Sequence, residues 1–388
     1  MDRAKAIEFV HELLRTMVEQ QGSDLFITAG APPSMKVNGL LQPITQHKLT
    51  PTHTQMLARA LMNDRQLSEF EKHQETGFSI AVTGVSRFRV SAFMQRGFYG
   101  MVLRRINDQI PTFEELGLPS SLREVAMMRR GLVLVVGATG SGKSSTLAAL
   151  LGFRNRTSRG HIITIEDPVE FVHEHDQCIV TQREIGIDTE SYEVALKNAL
   201  RQAPDVIVLG EIRDRAAMDY AITFAETGHL CMSTVHANSA NQAMERVLNF
   251  FPEDRRAQVQ MDLSMNLRAV LSQRLVRRAD GDGRVPAVEV LLNTPLMAEL
   301  ILKGRIPDMK ELVQNSREQG MKTFDQALFD LYETGAITYQ EALRHADSVN
   351  NLRLKIKLES KRSTSKALLE GTEALMVQPP PSDQDLMR

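Results

Sequence analysis

Gly137-Ala138-Thr139-Gly140-Ser141-Gly142-Lys143-Ser144 stands between the apolar run Leu132 to Val136 and the helix-forming stretch Thr146-Leu147-Ala148-Ala149-Leu150-Leu151. A glycine-rich loop that leaves a strand and enters a helix through Lys-Ser is a P-loop in the context the pattern requires. Its glycines let backbone N–H groups converge on phosphates at the positive end of a helix, and Lys143 reaches the β- and γ-phosphates. Ser144 supplies a hydroxyl to Mg²⁺. The expected nucleotide-binding set is therefore Gly137, Ala138, Thr139, Gly140, Ser141, Gly142, Lys143, Ser144 and the adjoining Ser145, with ATP and Mg²⁺ as ligands.

Outward from this loop, the stretch from Arg130 to about Asn293 repeats strand, turn and helix. The apolar runs Leu132 to Val136, Ile162 to Ile165, Val206 to Leu209 and Leu230 to Val235 are each followed by polar or helical sequence. That pattern predicts an α/β unit with a mostly parallel sheet and helices on its faces. Further helices are expected around Leu296 to Lys303 and Thr323 to Glu333. Upstream, short strands at Asp24 to Thr28, Phe78 to Val82, Phe88 to Phe93 and Gly100 to Ile106 alternate with helical patterns and predict a small α/β domain over residues 1–107. Pro111 and Pro119 flank Glu114-Glu115-Leu116-Gly117, which makes 108–119 the linker. The ATPase domain is then 120–350, and 351–388 is a basic tail, helical at first, partly disordered, with Pro379-Pro380-Pro381 near its end.

Hydrolysis needs an acid near the γ-phosphate, and in a parallel sheet such residues belong at the C-terminal strand ends beside the P-loop. The run Val206 to Leu209 ends at Gly210-Glu211, the run Ile162 to Ile165 at Glu166-Asp167, and the run beginning near His229 at His236. Asp205 resembles a metal ligand but lies at the other end of its strand, about 20 Å from Glu211 at ~3.3 Å per residue. Glu211 is thus expected to orient or activate water, and Glu166 to help hold water or Mg²⁺. His236 is placed to sense the γ-phosphate. His173-Glu174-His175 lacks further ligands at supporting spacing and reads as a solvated turn.

The bulk properties agree with a globular chain. Of 388 residues, 42% are hydrophobic and 24% charged, enough for two cores and a wet surface. Forty-six Lys and Arg balance 48 Asp and Glu, a formal charge of −2, which lacks the basic excess of a non-specific nucleic-acid binder. Cys178 and Cys231 lie in apolar stretches and are expected to be reduced and buried. The first residues read as a charged helix with Ile7, Val10, Leu13, Leu14 and Met17 on one face, neither signal peptide nor anchor. No segment has the ~18 apolar residues of a spanning helix, so a membrane role is expected only through partners.

These residues give the chain a specific likeness. Up to about Asn350 it resembles the type IV pilus retraction ATPases of the PilT and PilU kind, within the secretion ATPase superfamily. The family's Asp box corresponds to Thr164-Ile165-Glu166-Asp167-Pro168-Val169-Glu170-Phe171, its Walker B region to Asp205 to Asp214, and its His box to Thr227-Gly228-His229 to Thr234-Val235-His236. The resemblance implies a PAS-like N-terminal domain followed by a RecA-like P-loop ATPase domain, assembled as a homo-hexameric ring. It implies that Glu211 is the catalytic glutamate, that Glu166 assists with metal or water, and that His229 and His236 respond to nucleotide. It also implies that arginines of the N-terminal domain approach nucleotide bound to the second domain of a neighbour, with Arg89 and Arg104 at matching positions.

Two departures separate this chain within the family. Where PilT-type motors carry Ala-Ile-Arg-Asn-Leu-Ile-Arg-Glu, this sequence has Leu296-Met297-Ala298-Glu299-Leu300-Ile301-Leu302-Lys303, with Ala298 and Leu302 in place of both arginines. The tetracysteine zinc module typical of assembly ATPases cannot be built from two distant cysteines. Together with the C-terminal extension, these features resemble the PilU branch. The resemblance implies a cytoplasmic motor for pilus retraction and twitching motility, recruited to the inner membrane. Its implied partners are a paralogous PilT-type ATPase and an inner-membrane platform protein. Alternatives are an accessory ring that binds the paralogue, and a pilus-assembly or type II secretion ATPase.

Overall fold

The computed structural model of the chain describes residues 2–37, 39–106 and 109–362. Its first sheet is antiparallel and runs in the order β3-β2-β1-β6-β5-β4. The strands are β1 (Asp24–Thr28), β2 (Ser34–Val37), β3 (Leu40–Pro43), β4 (Glu75–Val82), β5 (Ser86–Gln95) and β6 (Phe98–Ile106). Side chains alternate across a strand, so Phe88, Val90 and Ala92 of β5 are buried on one face while Arg87, Arg89 and Ser91 point to the other. The buried face packs under the helices Arg3–Glu19 and Pro51–Leu61, whose Val10, Leu13, Leu14, Met17 and Leu57 belong to the same core. Each apolar face covers the other, which is what an isolated amphipathic helix or single sheet cannot do.

The second sheet has seven strands in the order β13-β12-β7-β11-β10-β8-β9. They are β7 (Gly131–Val136), β8 (Gly160–Glu166), β9 (Cys178–Glu184), β10 (Val206–Leu209), β11 (Leu230–Val235), β12 (Leu267–Arg277) and β13 (Arg284–Leu292). From β12 to β9 all neighbours are parallel; β13 alone pairs antiparallel, on β12. Every residue of β7, β10 and β11 is buried. Cores lie on both faces of the sheet, which is why these strands read as unbroken apolar runs rather than as alternation. The register pairs Val235 with Val136 and Leu209 with both Ser233 and Ile165. One sheet edge therefore carries the P-loop, Glu166, Glu211 and His236 together.

The structure departs from the sequence reading at one place. Within 108–119, read as linker, Phe113 and Leu118 are buried in the second core, and the Phe113 ring meets Phe153 edge-on at 5.4 Å. The stretch packs because its apolar residues find the back of the P-loop helix, Lys143–Thr157. Beyond Asn350, the stretch expected to be helical at first continues as the helix Val349–Glu359. Leu352 and Ile356, one helical turn apart, are buried beside Phe324, Leu328 and Tyr332. The Pro379-Pro380-Pro381 end and the expected disorder of the tail lie outside the described residues. Among the described residues no helix is long and apolar enough to cross a membrane.

The burial of Leu352 makes the last helix part of a core. Leu352→Ala is expected to destabilise the chain by about 2–5 kcal/mol, read by denaturant unfolding, and truncation after Asn350 should lower the melting temperature. An unchanged unfolding midpoint in both would contradict this packing.

Candidate functional site

The P-loop conformation is set by close backbone approach. A Cβ at Gly137 would collide with the Ser141 side chain and lie 2.8 Å from the Gln273 carbonyl oxygen. Gly142 has φ +87°, and a Cβ there would stand 2.7 Å from the Gln273 amide nitrogen. Both positions demand glycine for these reasons. Gln273, on β12, also accepts a 2.6 Å hydrogen bond from the Thr146 hydroxyl and so pins the first turn of the helix from behind. That helix starts at Lys143 with no acidic residue and no side-chain cap in its first turn, leaving its N–H groups directed at the loop.

Lys143 folds back over the loop, donating to the carbonyls of Gly137 at 2.9 Å and Ala138 at 3.0 Å. Burial pulls its pKa below the ordinary lysine range, while Glu211 and Glu170 nearby favour the charged form. Glu211 follows Gly210 at the end of β10. The Gly210 N–H donates to Ile165 O at 2.8 Å, its carbonyl accepts from the Thr234 hydroxyl at 2.7 Å, and the Ile212 N–H donates to Thr234 O at 3.0 Å. The turn holding Glu211 is thus stitched to the strands on both sides. Its Oε1 lies 3.1 Å from His236 Nε2, and its Oε2 accepts from Arg213 Nε at 2.9 Å.

Glu166 ends β8. The Thr164 hydroxyl at 2.6 Å and the Gln182 amide at 3.3 Å both donate to its Oε1, and the Glu170 backbone N–H also bonds the carboxylate. Burial raises its pKa above the ordinary carboxylate value, against the lowering effect of these hydrogen bonds. Tyr192, pushed up to about 12 by burial and by Asp167, donates to Ile165 O at 3.3 Å behind Gly210.

These groups surround one cavity of about 610 Å³, lined by Thr139, Gly140, Gly142, Lys143, Ser144 and Ser145 of the loop, by Glu166, Glu211 and His236, and by Arg89 of β5. The structure thus brings together the expected acids, His236 and the P-loop, and places Arg89 in the cavity of its own chain. Two expected residues stand elsewhere. Arg104 donates from Nε to the buried Asp24 at 2.7 Å on the first sheet. His229 sits at the start of β11, where Nδ1 contacts the Thr227 hydroxyl at 3.0 Å. A six-residue strand at ~3.3 Å per residue puts it about 20 Å from His236, the same geometry that removes Asp205 from the site. Asp205 instead accepts from the His161 N–H at 2.8 Å.

The sequence reading missed Arg213, Tyr192 and Arg284, which also line the cavity. Arg213 had a signal, standing two residues beyond Glu211; Tyr192 and Arg284 reach the site only through folding. His173, read as part of a solvated turn, is buried at the cavity wall, with its pKa lowered to about 4 by burial and by Arg156.

The comparisons with known proteins place the chain in a family. A family model described as type II/IV secretion system protein matches residues 1–320. The chain belongs to that family. It is 60% identical over 349 residues to the type IV pilus ATPase PilU of Pseudomonas aeruginosa, covering 90% of this chain and 91% of that one. To the type IV pilus retraction ATPase PilT of the same organism it is 42% identical, over 88% of this chain and 99% of that one. A crystal structure titled as the pilus retraction motor PilT with bound ADP superposes with TM-score 0.83 at 39% identity, covering 89% and 99% of the two chains. The Legionella pneumophila ATPase DotB superposes with TM-score 0.76 at 26% identity, covering 86% and 94%.

For this secretion ATPase family member, the raised pKa of Glu166 has a consequence for stability. The folded value exceeds the unfolded value, so the contribution is fully present below the ordinary carboxylate pKa of 4.5 and is lost as pH rises through the folded value. Glu166→Gln, which can still accept from Thr164, is expected to be more resistant to urea than wild type at pH 8, with the gap closing as pH falls toward 4.5. A constant gap across that range would show that burial of the charge is not the cause.

Proposed function

We propose that this chain is an ATP-hydrolysing motor for type IV pilus retraction, in which the cavity at the P-loop binds ATP and Glu211 acts on the attacking water. The observation that carries it is the convergence of Lys143, Glu211 and His236 in one cavity, in a chain that is 60% identical to a type IV pilus ATPase. The phosphates bind against the N–H groups of 139–144, where Lys143 exchanges its contacts with two loop carbonyls for the β- and γ-phosphate oxygens. Glu211 is aimed by His236 on one oxygen and Arg213 on the other. The oxygen that either partner releases can accept the proton of the attacking water. Arg89 adds positive charge at the cavity wall, where negative charge spreads over the transferring group.

Ser144 and Glu166 fit Mg²⁺, because a hydroxyl and a carboxylate oxygen facing the same cavity are hard oxygen ligands of the kind that complete a phosphate-bound ion. Bound there, Mg²⁺ supplies neutralisation of phosphate charge. The motor works as a homo-hexameric ring on the cytoplasmic face of the inner membrane. There it acts with a paralogous PilT-type ATPase and a platform protein. The likeness to PilU and PilT supports this assembly. A second reading, an accessory ring that acts by binding the paralogue, draws on the helix Pro295–Leu302, where Ala298 and the exposed Leu302 stand in place of the two arginines of PilT-type motors. Pilus retraction measured with this gene alone, with the paralogue alone, and with both separates the two readings.

Lys143→Ala is expected to abolish tight ATP binding, whereas Glu211→Gln keeps binding and lowers turnover by about 10²–10⁴-fold. Steady-state turnover and equilibrium binding of a fluorescent ATP analogue measure both, and near wild-type turnover in Glu211→Gln would remove Glu211 from its role. A closed head-to-tail interface makes a ring, so light scattering with an ATP analogue and Mg²⁺ should report about six subunits; a monomer hydrolysing ATP at full rate would exclude the ring.

A further inference from the structure

The mechanism above gives no role to the buried acid Glu184. Glu184, the last residue of β9, is only 3% exposed, and its backbone is locked. Its N–H donates to Asp188 Oδ2 at 2.9 Å, and its carbonyl accepts from the N–H groups of Ile187, Asp188 and Thr189. A carboxylate on so fixed a base has little freedom in where it points.

The carboxylate reaches across to the N-terminal sheet. Its Oε1 accepts from the Ser79 hydroxyl of β4 at 2.7 Å, and its Oε2 stands 3.5 Å from the Arg87 guanidinium of β5. The same Oε2 accepts from the Val169 N–H at 3.3 Å, in the loop that follows Glu166. Arg87 and Arg89 lie two apart on β5 and so share a face. Ser79 is the direct cross-strand partner of Arg89. Glu184 therefore grips the two neighbours that flank Arg89, one along the strand and one across it, while Arg89 itself enters the cavity.

We infer that Glu184 is a positioning residue: it seats the N-terminal sheet on the catalytic domain so that Arg89 enters the nucleotide cavity of the same chain, in register with the loop that follows Glu166. The inference rests on the reading of that cavity as an ATP site. A buried acid that serves stability alone would lower the melting temperature without acting through Arg89. Acting through Arg89 predicts a specific non-additivity, because two residues in one chain of contacts share a single effect.

The test combines kinetics with a distance measurement. Glu184→Ala, and Glu184→Gln as the isosteric variant should the first fold poorly, are compared with Arg89→Ala and with the double variants. Each Glu184 variant is expected to lower kcat about 10- to 100-fold, with KM for ATP changed by less than about twofold. In the Arg89→Ala background either substitution should then cost less than about twofold more, within the limits of additivity. Independently, spin labels on cysteines placed at the exposed Lys72 and Lys197 report the separation of the two domains by pulsed electron resonance. Cys178 and Cys231 are buried and stay unlabelled. A narrow distance distribution in the parent should broaden in Glu184→Gln. Equal losses of kcat with and without Arg89, or a distance distribution that does not change, would overturn the proposal. A parent protein without ATP turnover would defeat the functional reading instead, and the distances would still decide the joint.

Discussion

The contact between the P-loop and β12 fixes the rest of the site. Gly137 and Gly142 press so closely on Gln273 that neither tolerates a Cβ, and Gln273 in turn holds Thr146 in the first turn of the helix. The loop therefore has one conformation because the strand beside it leaves no other. The parallel sheet then does the remainder: strands that start together end together, and Glu166, Glu211 and His236 arrive at the same edge without any direct contact with the loop being required. A small number of backbone constraints thereby determines where four functional groups meet.

Charge is distributed in this site so that the acids and cations restrain one another. Glu211 is held on both oxygens by His236 and Arg213, and Arg213 is raised above its ordinary pKa mainly by that hydrogen bond. Burial lowers the pKa of Lys143, while Glu211 and Glu170 favour its charged form. Polyphosphate entering the cavity competes for the same cations. On the proposed reading, nucleotide arrival and the release of Glu211 from His236 and Arg213 are linked electrostatically.

The catalytic half of the fold was legible because its signals are local. An apolar run, a glycine turn and Lys-Ser are contiguous, and strand-end acids follow from the rule of parallel sheets; the expected strands at 132–136, 162–165, 206–209 and 230–235 all lie within β7, β8, β10 and β11. The strands β9, β12 and β13 were not separated out, since Cys178–Glu184 and Leu267–Arg277 carry Gln, Arg, Glu and Ser among their apolar residues. Those polar residues are the ones with structural tasks: Gln182 on Glu166, Gln273 under the P-loop. The tail reads as helical at first, although Leu352, Leu354, Ile356 and Leu358 alternate in a way that also suits an edge strand. A helix buries only Leu352 and Ile356 of these, leaving Leu354 and Leu358 exposed, and periodicity over so few residues cannot choose between the two.

What composition and spacing could not reach is the relation between the two sheets. Nothing near Glu184 in sequence announces Ser79 or Arg87, which stand 105 and 97 residues away. The same holds for Arg274, which joins Asn238 O, two residues past His236, to His345 O and Asp347 among the last helices, with its guanidinium 3.9 Å over the Phe324 ring. Each is a charged group at a junction between units, fixed by several partners at once, where removal of one partner leaves a desolvated charge behind. Such groups cost more to disturb than exposed ion pairs, so they tie movements of the N-terminal sheet and of the C-terminal helices to the strand ends where Glu166 and His236 lie. A motor must couple chemistry to displacement at such junctions, because a packed core transmits a shift rather than absorbing it.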